Sequence, residues 1–406
     1  MKKKIKAGTA ILGGIMLLSA LPVQAAGNNY TGVAGQKTKF DTYLVMGKSA
    51  NVPNASFTYQ IAPGVAKNYN INGKKFEVLS GVGTPVISDE DKKTEGSQVI
   101  FTTGDATYQS KQTGDQVKAF DETTQKYAKK EAEIDFTGCR FTEPGIYRYV
   151  LTETGTNQGI RNDEQSQRYL DVYVTDNGTG LQGLQVESYV LHANATDIGA
   201  GTEAGSDGQV TDSKSQGYTN FYTTGNLTFK EAVSGNQASR DKYFAYTVEI
   251  TNAKGGTVYQ VDLSKADQVS GSNVATIQKN QNQTNPSTLT VPEGQTSVSG
   301  TFYLQNNQEI TVLGLAEDTG YQVSAEAEDY KLSAGGVSGY GDETAGTIQT
   351  TRRAGGNEVK TSYLHTRNGM IPTGVALKIL PYAGMMLVGI AGVLGFAVKK
   401  GRRYGK

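Results

Sequence analysis

The sequence predicts an all-β protein with two tandem Ig-like β-sandwich domains, flanked by an N-terminal signal peptide and a C-terminal transmembrane helix. Short runs of alternating apolar and polar residues recur along the chain, separated by turn residues. The 406 residues include 50 glycines and 23 tyrosines but no tryptophan, a composition that favours short strands and turns. The strand pattern starts again after Thr223-Thr224-Gly225, which predicts one domain at residues 26–223 and another at residues 224–367.

Residues 1–25 have the organisation of a secretory signal peptide. Four lysines among the first six residues precede an apolar segment, Ala7–Leu21. Small residues follow at Val23 and Ala25, where a signal peptidase reads the chain. We therefore expect cleavage after Ala25 and export of the remaining chain.

The first domain is predicted to begin with a strand in which Thr42 and Leu44 lie on one face and Tyr43 on the other. Residues 103–131 are polar and rich in lysine, which indicates a long excursion with a helical turn or a mobile loop. Residues 193–216 consist largely of turn-forming residues and are predicted to form a surface loop. The remaining strands of this domain are expected at Ala55–Ile61, Gln98–Thr102, Glu133–Phe136, Ile146–Glu153, Tyr169–Thr175, Leu184–His192 and Tyr218–Tyr222.

The second domain repeats this pattern of short strands and glycine-containing turns. Its strands are expected at Leu227–Val233, Phe244–Ile250, Thr301–Leu304, Glu309–Leu313, Tyr321–Ala325 and Glu358–Leu364.

Charge and reactive residues argue against several classes of protein. The chain carries 39 basic and 39 acidic residues, so bulk attraction gives no reason to expect a nucleic acid partner. Cys139 is the single cysteine, which excludes an intramolecular disulfide and leaves either a reactive or, as we favour, a half-buried structural thiol. The two histidines, His192 and His365, do not form a zinc cluster or a catalytic triad by spacing. We therefore expect no enzymatic activity, no cofactor and no metal.

Residues 368–406 end the chain with three features in a fixed order. Ile371-Pro372-Thr373-Gly374 is followed by an apolar segment at 375–398, interrupted only by Lys378, and then by a basic tail. The apolar segment is long enough to cross a bilayer and, taken alone, indicates a plain single-pass anchor. The three features together resemble a Gram-positive sortase signal, although Met370 and Ile371 stand where the common form has Leu and Pro. That resemblance implies a sortase that cuts between Thr373 and Gly374 and passes Thr373 to an amine, while the apolar segment holds the chain at the membrane only during export.

Several segments of the exported chain resemble the streptococcal-type pilin isopeptide-linkage family. The segments are Phe40–Met46, Asn51–Tyr59, Gly145–Glu153, Tyr218–Tyr222, Leu227–Asn236 and Tyr363–Gly374. The resemblance implies pilin-type sandwiches at the cell surface, joined covalently to other pilin subunits or to a peptidoglycan precursor. It also suggests Lys214 as the acceptor lysine, although Lys67, Lys111 and Lys118 have equal prospects of exposure and Lys214 can equally be a solvated loop residue.

The hallmark of that family is an amide bond between a lysine on the first strand and an asparagine on the last, promoted by a buried acid. In the first domain Glu153 matches the acid and Asn220 the asparagine, but Thr42 stands at the lysine position. Lys37 and Lys39 are an odd number of residues from Thr42, so a regular strand places them on its opposite face. We therefore expect Thr42, Glu153 and Asn220 to form a buried polar cluster joined by hydrogen bonds. The alternative is a covalent bond, which would require a bulge that brings Lys39 inward.

In the second domain all three positions differ from the family pattern. Glu231 stands at the lysine position, Ala325 at the acid position and His365 at the asparagine position. We hypothesise a buried ion pair between Glu231 and His365 that joins the first and last strands without a covalent bond. The alternative is two exposed polar residues in a relaxed sheet.

The sequence therefore favours a sortase-processed structural subunit, most of all a pilus subunit. The alternative is a monomeric wall-anchored adhesin, in which residues 103–131 and 193–216 carry the surface for a host ligand.

Overall fold

The computed structural model describes residues 30–71, 74–89, 97–176, 183–197, 214–266, 284–349 and 358–369. Within these ranges the regular secondary structure consists of β-strands, and no helix is present. The predicted signal peptide with Ala25 and the predicted sorting signal at 371–374 lie outside them, as does the apolar segment 375–398. Across the same described ranges, a search for an apolar helix of membrane-spanning length finds none.

The described residues of the first unit form fifteen strands, which end just before Thr223. They are β1 (Val33–Ala34), β2 (Lys37–Gly47), β3 (Ala55–Pro63), β4 (Lys67–Ile71), β5 (Lys74–Ser80), β6 (Val86–Asp89), β7 (Gln98–Phe101), β8 (Thr107–Tyr108), β9 (Gln125–Asp135), β10 (Arg140–Phe141), β11 (Gly145–Thr154), β12 (Ile160–Arg161), β13 (Gln167–Asp176), β14 (Leu184–His192) and β15 (Gly217–Tyr222).

The second unit contains the ten strands that follow. They are β16 (Thr224–Ser234), β17 (Phe244–Thr251), β18 (Val258–Asp262), β19 (Thr288–Thr290), β20 (Val298–Leu304), β21 (Glu309–Ala316), β22 (Gly320–Ala325), β23 (Lys331–Ala334), β24 (Ala345–Thr347) and β25 (Glu358–Thr366).

Each unit is a β-sandwich of two principal sheets. In the first unit one sheet has the order β14-β13-β11-β3-β7, with β5 and β4 added beside β11, and the other has the order β12-β15-β2-β9-β6, with β8 on β9. In the second unit the orders are β19-β18-β21-β16-β25-β23 and β20-β17-β22-β24. The residues buried between the sheets include Leu44 and Phe57 in the first core and Phe229 and Tyr246 in the second, so the predicted all-β class is confirmed.

The first and last strands of each unit are direct neighbours and run parallel. β15 pairs with β2 so that Tyr218 lies opposite Thr42, and β25 pairs with β16 so that Tyr363 lies opposite Glu231. The chain enters and leaves each sandwich through these two adjacent strands, at opposite ends of the ladder, because they point the same way.

The predicted excursion at 103–131 is wrong in its last part, where β9 already begins at Gln125. This strand pairs with β2 along its whole length, and its outward face is covered by the turns that precede it. Lys129 Nζ lies 3.0 Å from Asp115 Oδ1 and 3.1 Å from Asp41 Oδ2, so this lysine of β9 has largely buried partners. The outward face of this sheet is therefore covered by a second packing layer that contains both apolar and charged side chains.

Hydrogen bonds also connect the two units where β15 leads into β16. Asn51 Nδ2 donates to the Val258 carbonyl at 2.8 Å, and Gln158 Nε2 donates to the Asn252 carbonyl. Ala316 of the second unit belongs to the first core. The junction is therefore packed and hydrogen-bonded.

Candidate functional site

The positions taken from the family pattern are geometrically equivalent in the two units. Thr42 and Glu231 both lie opposite the last-strand tyrosine in identical parallel register. Asn220 and His365 each come two residues after that tyrosine, so both point to the same inner face of the sheet. The equivalence justifies comparing the two sites residue by residue.

The structure brings Thr42, Glu153 and Asn220 into one buried hydrogen-bonded cluster through Tyr59. Thr42 Oγ1 lies 2.8 Å from the Tyr59 hydroxyl, which donates to Glu153 Oε1 at 2.9 Å. Asn220 Nδ2 also donates to Glu153 Oε1 at 2.9 Å. The cluster ties β2, β3, β11 and β15 together, and at most 3% of any of these four residues is exposed.

Burial increases the proton affinity of the acid at the centre of this cluster. Burial raises the pKa of Glu153, although the hydrogen bonds from Asn220 and Tyr59 counteract part of the shift. Glu153 Oε2 is buried and has no hydrogen-bond partner among the residues that the structure describes. A neutral carboxyl group leaves one buried polar atom unsatisfied but avoids an uncompensated buried charge. This is the protonation state in which an acid can donate to an amide carbonyl.

No first-strand lysine reaches the cluster. Lys37 Nζ pairs with Glu133, and Lys39 Nζ lies 2.9 Å from Glu131 on the outward face of β9. Their side chains are 43% and 46% exposed. The strand is regular here, so Thr42 points inward while both lysines point outward, and neither lysine of β2 places its amine at the cluster.

A buried ion pair supports the last strand next to the cluster. Arg168 Nη2 lies 2.7 Å from Asp163 Oδ2, and its guanidinium carbon lies 4.6 Å from the centre of the Tyr218 ring. The Asp163 amide donates to Asn220 Oδ1 at 2.8 Å, which fixes the orientation of the Asn220 side chain. Sequence reasoning missed this pair, because an arginine among polar turn residues is usually solvated.

In the second unit, Glu231 and His365 form a buried contact between β16 and β25. His365 Nδ1 lies 3.0 Å from Glu231 Oε1 and 2.9 Å from Oε2, and both side chains are 0% exposed. The Tyr246 hydroxyl donates to Glu231 Oε2 at 2.5 Å. Burial raises the pKa of Glu231, while the contacts with His365 and Tyr246 lower it. The first and last strands are thus joined by side chains at the place where Thr42 and Asn220 lie in the first unit.

The hydrogen-bond partner of His365 Nε2 fixes one proton on the ring. Its Nε2 lies 2.9 Å from the Glu326 carbonyl oxygen, which can only accept, so Nε2 must carry a proton. One further proton is then shared between Nδ1 and the Glu231 carboxyl group, and either position satisfies both groups. The ring stacks on Phe244 with centroids 3.8 Å apart.

Ala325, at the acid position, has no polar role. It is a partly buried apolar residue packed against the second core and lies opposite Tyr246 on β17. The neighbouring Glu326 contributes its backbone carbonyl to His365 instead of its side chain. In this cluster the acid is instead Glu231, which lies on the first strand, β16.

The two tyrosines that complete these clusters were missed at the level of sequence. Tyr59 and Tyr246 occupy matching places on the second long strand of each unit and donate to the central carboxyl group. Each comes two residues after a buried phenylalanine: Tyr59 follows Phe57, and Tyr246 follows Phe244. That shared spacing was a usable signal, but an aromatic residue at an inward position is more often only part of the core.

The other candidates lie apart from the clusters. Lys214 is exposed and forms an isolated β-bridge with His192, and Lys67, Lys111 and Lys118 are also exposed. Cys139 is fully buried, and burial raises the pKa of its thiol, which fits a structural role. Within the described ranges no cluster of potential metal-ligating side chains is found.

Parts of both units match known domain families. Residues 72–222, which include Glu153 and Asn220 but not Thr42, match the Spy0128-like isopeptide containing domain. Residues 225–359 match a family described as a domain of unknown function (DUF7601), and this match includes Glu231 and Ala325 but ends before His365.

Whole-chain similarities extend over both units. A pilin of Streptococcus pyogenes serotype M1 is 23% identical over 366 residues, which are 88% of this chain and 88% of that protein. The crystal structure of the major pilin from Streptococcus pyogenes has 18% identity and a TM-score of 0.47, covering 83% of this chain and 100% of that one. The major pilin T3.2 of the same species has 18% identity and a TM-score of 0.45, covering 83% and 99%.

Proposed function

We propose that this chain is a sortase-processed subunit of a surface pilus, with two sandwich domains divided near residue 224. Sortase cuts between Thr373 and Gly374 and transfers Thr373 to a lysine of the next subunit or to a peptidoglycan precursor. The 23% identity to a pilin along most of both chains supports this proposal, as does the domain family of residues 72–222.

The main structural support is the path that tension takes through each unit. Pulling on the start of β2 and the end of β15 displaces two parallel neighbouring strands along each other. All hydrogen bonds between them are then strained together instead of opening one after another. The same holds for β16 and β25, which stay paired from Asn226 to Ser234. Two sandwiches that both resist tension in this way suit a fibre subunit.

We further infer that neither unit carries an internal amide bond between its first and last strands. Thr42 offers a hydroxyl where a lysine amine is needed, and its oxygen bonds to Tyr59. In the second unit Glu231 and His365 supply a carboxyl group and an imidazole. Hydrogen bonds between buried side chains take the place of the covalent bond in both.

For the acceptor amine we propose Lys214, by analogy with the family. It is exposed and comes three residues before β15, beside the edge strand β14. Lys67, Lys111 and Lys118 are exposed as well, so they provide matched controls.

Cell-wall extracts of a sortase-producing Gram-positive host test the polymer. We expect ladders that resist SDS for the parent chain, no ladder for Thr373→Ala, and no ladder for Lys214→Arg. Lys67→Arg, Lys111→Arg and Lys118→Arg should each leave the ladder intact. One band shifted only by wall fragments would instead identify a monomeric anchored protein, such as an adhesin.

Intact-mass measurement of the mature chain tests the internal bonds. We expect the full mass calculated for the sequence after signal cleavage. A mass lower by one ammonia, with a cross-linked peptide that contains Asn220, would contradict the inference for the first unit.

A further inference from the structure

The chain leaves the second unit through a clamp at the turn between β16 and β17. Asn236 Nδ2 donates to the Gly369 carbonyl at 3.0 Å, and the Gly369 amide donates to Asn236 Oδ1 at 2.9 Å. The side-chain amide of Asn236 therefore imitates a neighbouring strand for Gly369, three residues beyond the end of β25. Residue 369 is the last described residue before the sorting signal.

Backbone contacts continue the clamp toward the strand. The Arg367 amide donates to the Ser234 carbonyl at 3.0 Å, and the Gln237 amide donates to the Arg367 carbonyl at 3.1 Å. Gly235 has a φ of 106°, and a Cβ there would lie 2.2 Å from the Arg367 oxygen, so the turn needs glycine to approach the exit this closely.

An ion pair holds the same segment from its other side. Arg367 Nη1 lies 2.6 Å from Asp329 Oδ2, and its guanidinium carbon lies 5.7 Å from the centre of the Tyr330 ring. Asp329 also pairs with Lys242, whose Nζ lies 3.4 Å away. Tyr330 in turn contacts the ring of His365. The exit is thus attached to the buried Glu231–His365 cluster through a short series of contacts.

We propose that this clamp, with Asn236 as its positioning residue, sets the length of the tether between the second unit and the next copy of the chain. The inference rests on the proposed function. Thr373 is four residues beyond Gly369, so it stays within about 14 Å of the clamp even when extended. Without the Asn236 side chain the remaining contacts still hold Arg367, so the tether begins after Arg367 and reaches about 21 Å.

A short tether brings the tip of the second unit against the acceptor copy. β16 starts at the junction with the first unit, and β25 runs parallel to it, so the chain leaves at the tip that is remote from the junction. The lysine of the acceptor must come within the four-residue reach plus the length of its own side chain. The molecule that lies against this tip is therefore a second copy of the chain. The clamp limits how far the joint between the two copies can bend.

The experiment compares Asn236→Ala with Asn285→Ala in the full chain, polymerised in a sortase-producing host. Asn285 makes the same pair of hydrogen bonds with the backbone of Tyr303, at 3.1 and 2.7 Å, away from the exit. In released polymers we expect hydrogen exchange of the Gly369 amide to rise about tenfold in Asn236→Ala and to stay unchanged in Asn285→Ala. Electron micrographs should show a wider spread of angles between subunits for Asn236→Ala alone.

The possible outcomes test the clamp, the joint between copies and the proposed function separately. Unchanged exchange at Gly369 in Asn236→Ala would show that this residue does not clamp the exit. Faster exchange with an unchanged spread of angles would show that the tether does not set the joint, and either result overturns the inference. Loss of ladders in Asn236→Ala alone, with an unchanged circular dichroism spectrum, would support the clamp as a positioning device. Absence of ladders in the parent chain would instead remove the proposed function itself.

Discussion

Replacing either member of the Glu231–His365 pair should have very unequal effects on the stability of the second unit. In Glu231→Gln the new amide can donate to Nδ1 of a neutral His365 and accept from the Tyr246 hydroxyl. The hydrogen bond from His365 Nε2 to the Glu326 carbonyl is unaffected. Every buried polar group keeps a partner, so only the charge assistance is lost, and we expect a loss of about 1 kcal/mol in the free energy of unfolding.

His365→Ala removes three interactions at once. Glu231 keeps only Tyr246, the Glu326 carbonyl loses its donor, and the ring stacked on Phe244 leaves a cavity. Breaking a fully buried pair by deleting one partner costs about 3–5 kcal/mol. That is a large part of the roughly 5–15 kcal/mol that stabilises a typical domain.

Urea unfolding of the mature chain, followed by circular dichroism, measures both values. His365→Ala should shift the transition of the second unit strongly, and Glu231→Gln should shift it slightly, with the transition of the first unit unchanged in both. A Glu231→Gln variant as unstable as His365→Ala would refute the reasoning, because it would mean that ionic attraction and not hydrogen-bond satisfaction holds the strands. Equal and negligible shifts would show that the pair does not stabilise the unit.

The cluster of the first unit allows two further predictions. Thr42→Lys combined with Tyr59→Phe places an amine where the Tyr59 hydroxyl now lies, so we expect an amide bond to Asn220 and a mass lower by one ammonia. Because this bond closes a long loop in the unfolded chain, the free energy of unfolding should rise by roughly 5 kcal/mol. Adding Asn220→Ala should restore the full mass. The raised pKa of Glu153 means that the folded state binds its proton more tightly than the unfolded state. Its contribution to stability is therefore fully present below 4.5, the ordinary pKa of a glutamate, and is lost as the pH rises through the folded-state pKa. Unfolding measured from pH 4.5 to pH 8 should therefore show the parent losing stability relative to Glu153→Gln, and parallel curves would contradict a buried, proton-binding Glu153.

The strand positions and the inward residues could be predicted because a strand alternates its faces every residue. That rule placed Thr42, Asn220, Glu231 and His365 on the inner face and Lys39 outside, as the register of the parallel strands shows. A one-residue error would have exchanged the two faces. The two-residue alternation of strand faces therefore predicted the inward positions better than the identity of any one side chain.

What the sequence could not reveal depends on contacts between distant segments. Tyr59 lies opposite Glu153 on the neighbouring strand and reaches Thr42 in the other sheet. Arg168 is buried because Asp163 and the Tyr218 ring receive its guanidinium. The length of β9 was missed for the same reason, since Lys129 resembles a solvated residue until Asp115 is known to cover it. In each case a polar side chain is buried by a partner that sequence periodicity does not identify.

A fibre built from such subunits would combine covalent joints with sandwiches that are closed without covalent bonds. An amide between positions 42 and 220 would keep the intervening chain out of the path of tension, whereas hydrogen bonds from Tyr59 and Asn220 to Glu153 can break and form again. Each net hydrogen bond contributes only about 1 kcal/mol, so resistance must come from straining the parallel ladder and the buried cluster together. Above that resistance a unit would open and lengthen while the joints at Thr373 hold. Refolding then requires the polar groups of each cluster to find their partners again, which the aromatic residues packed around Tyr59 and His365 favour by excluding water.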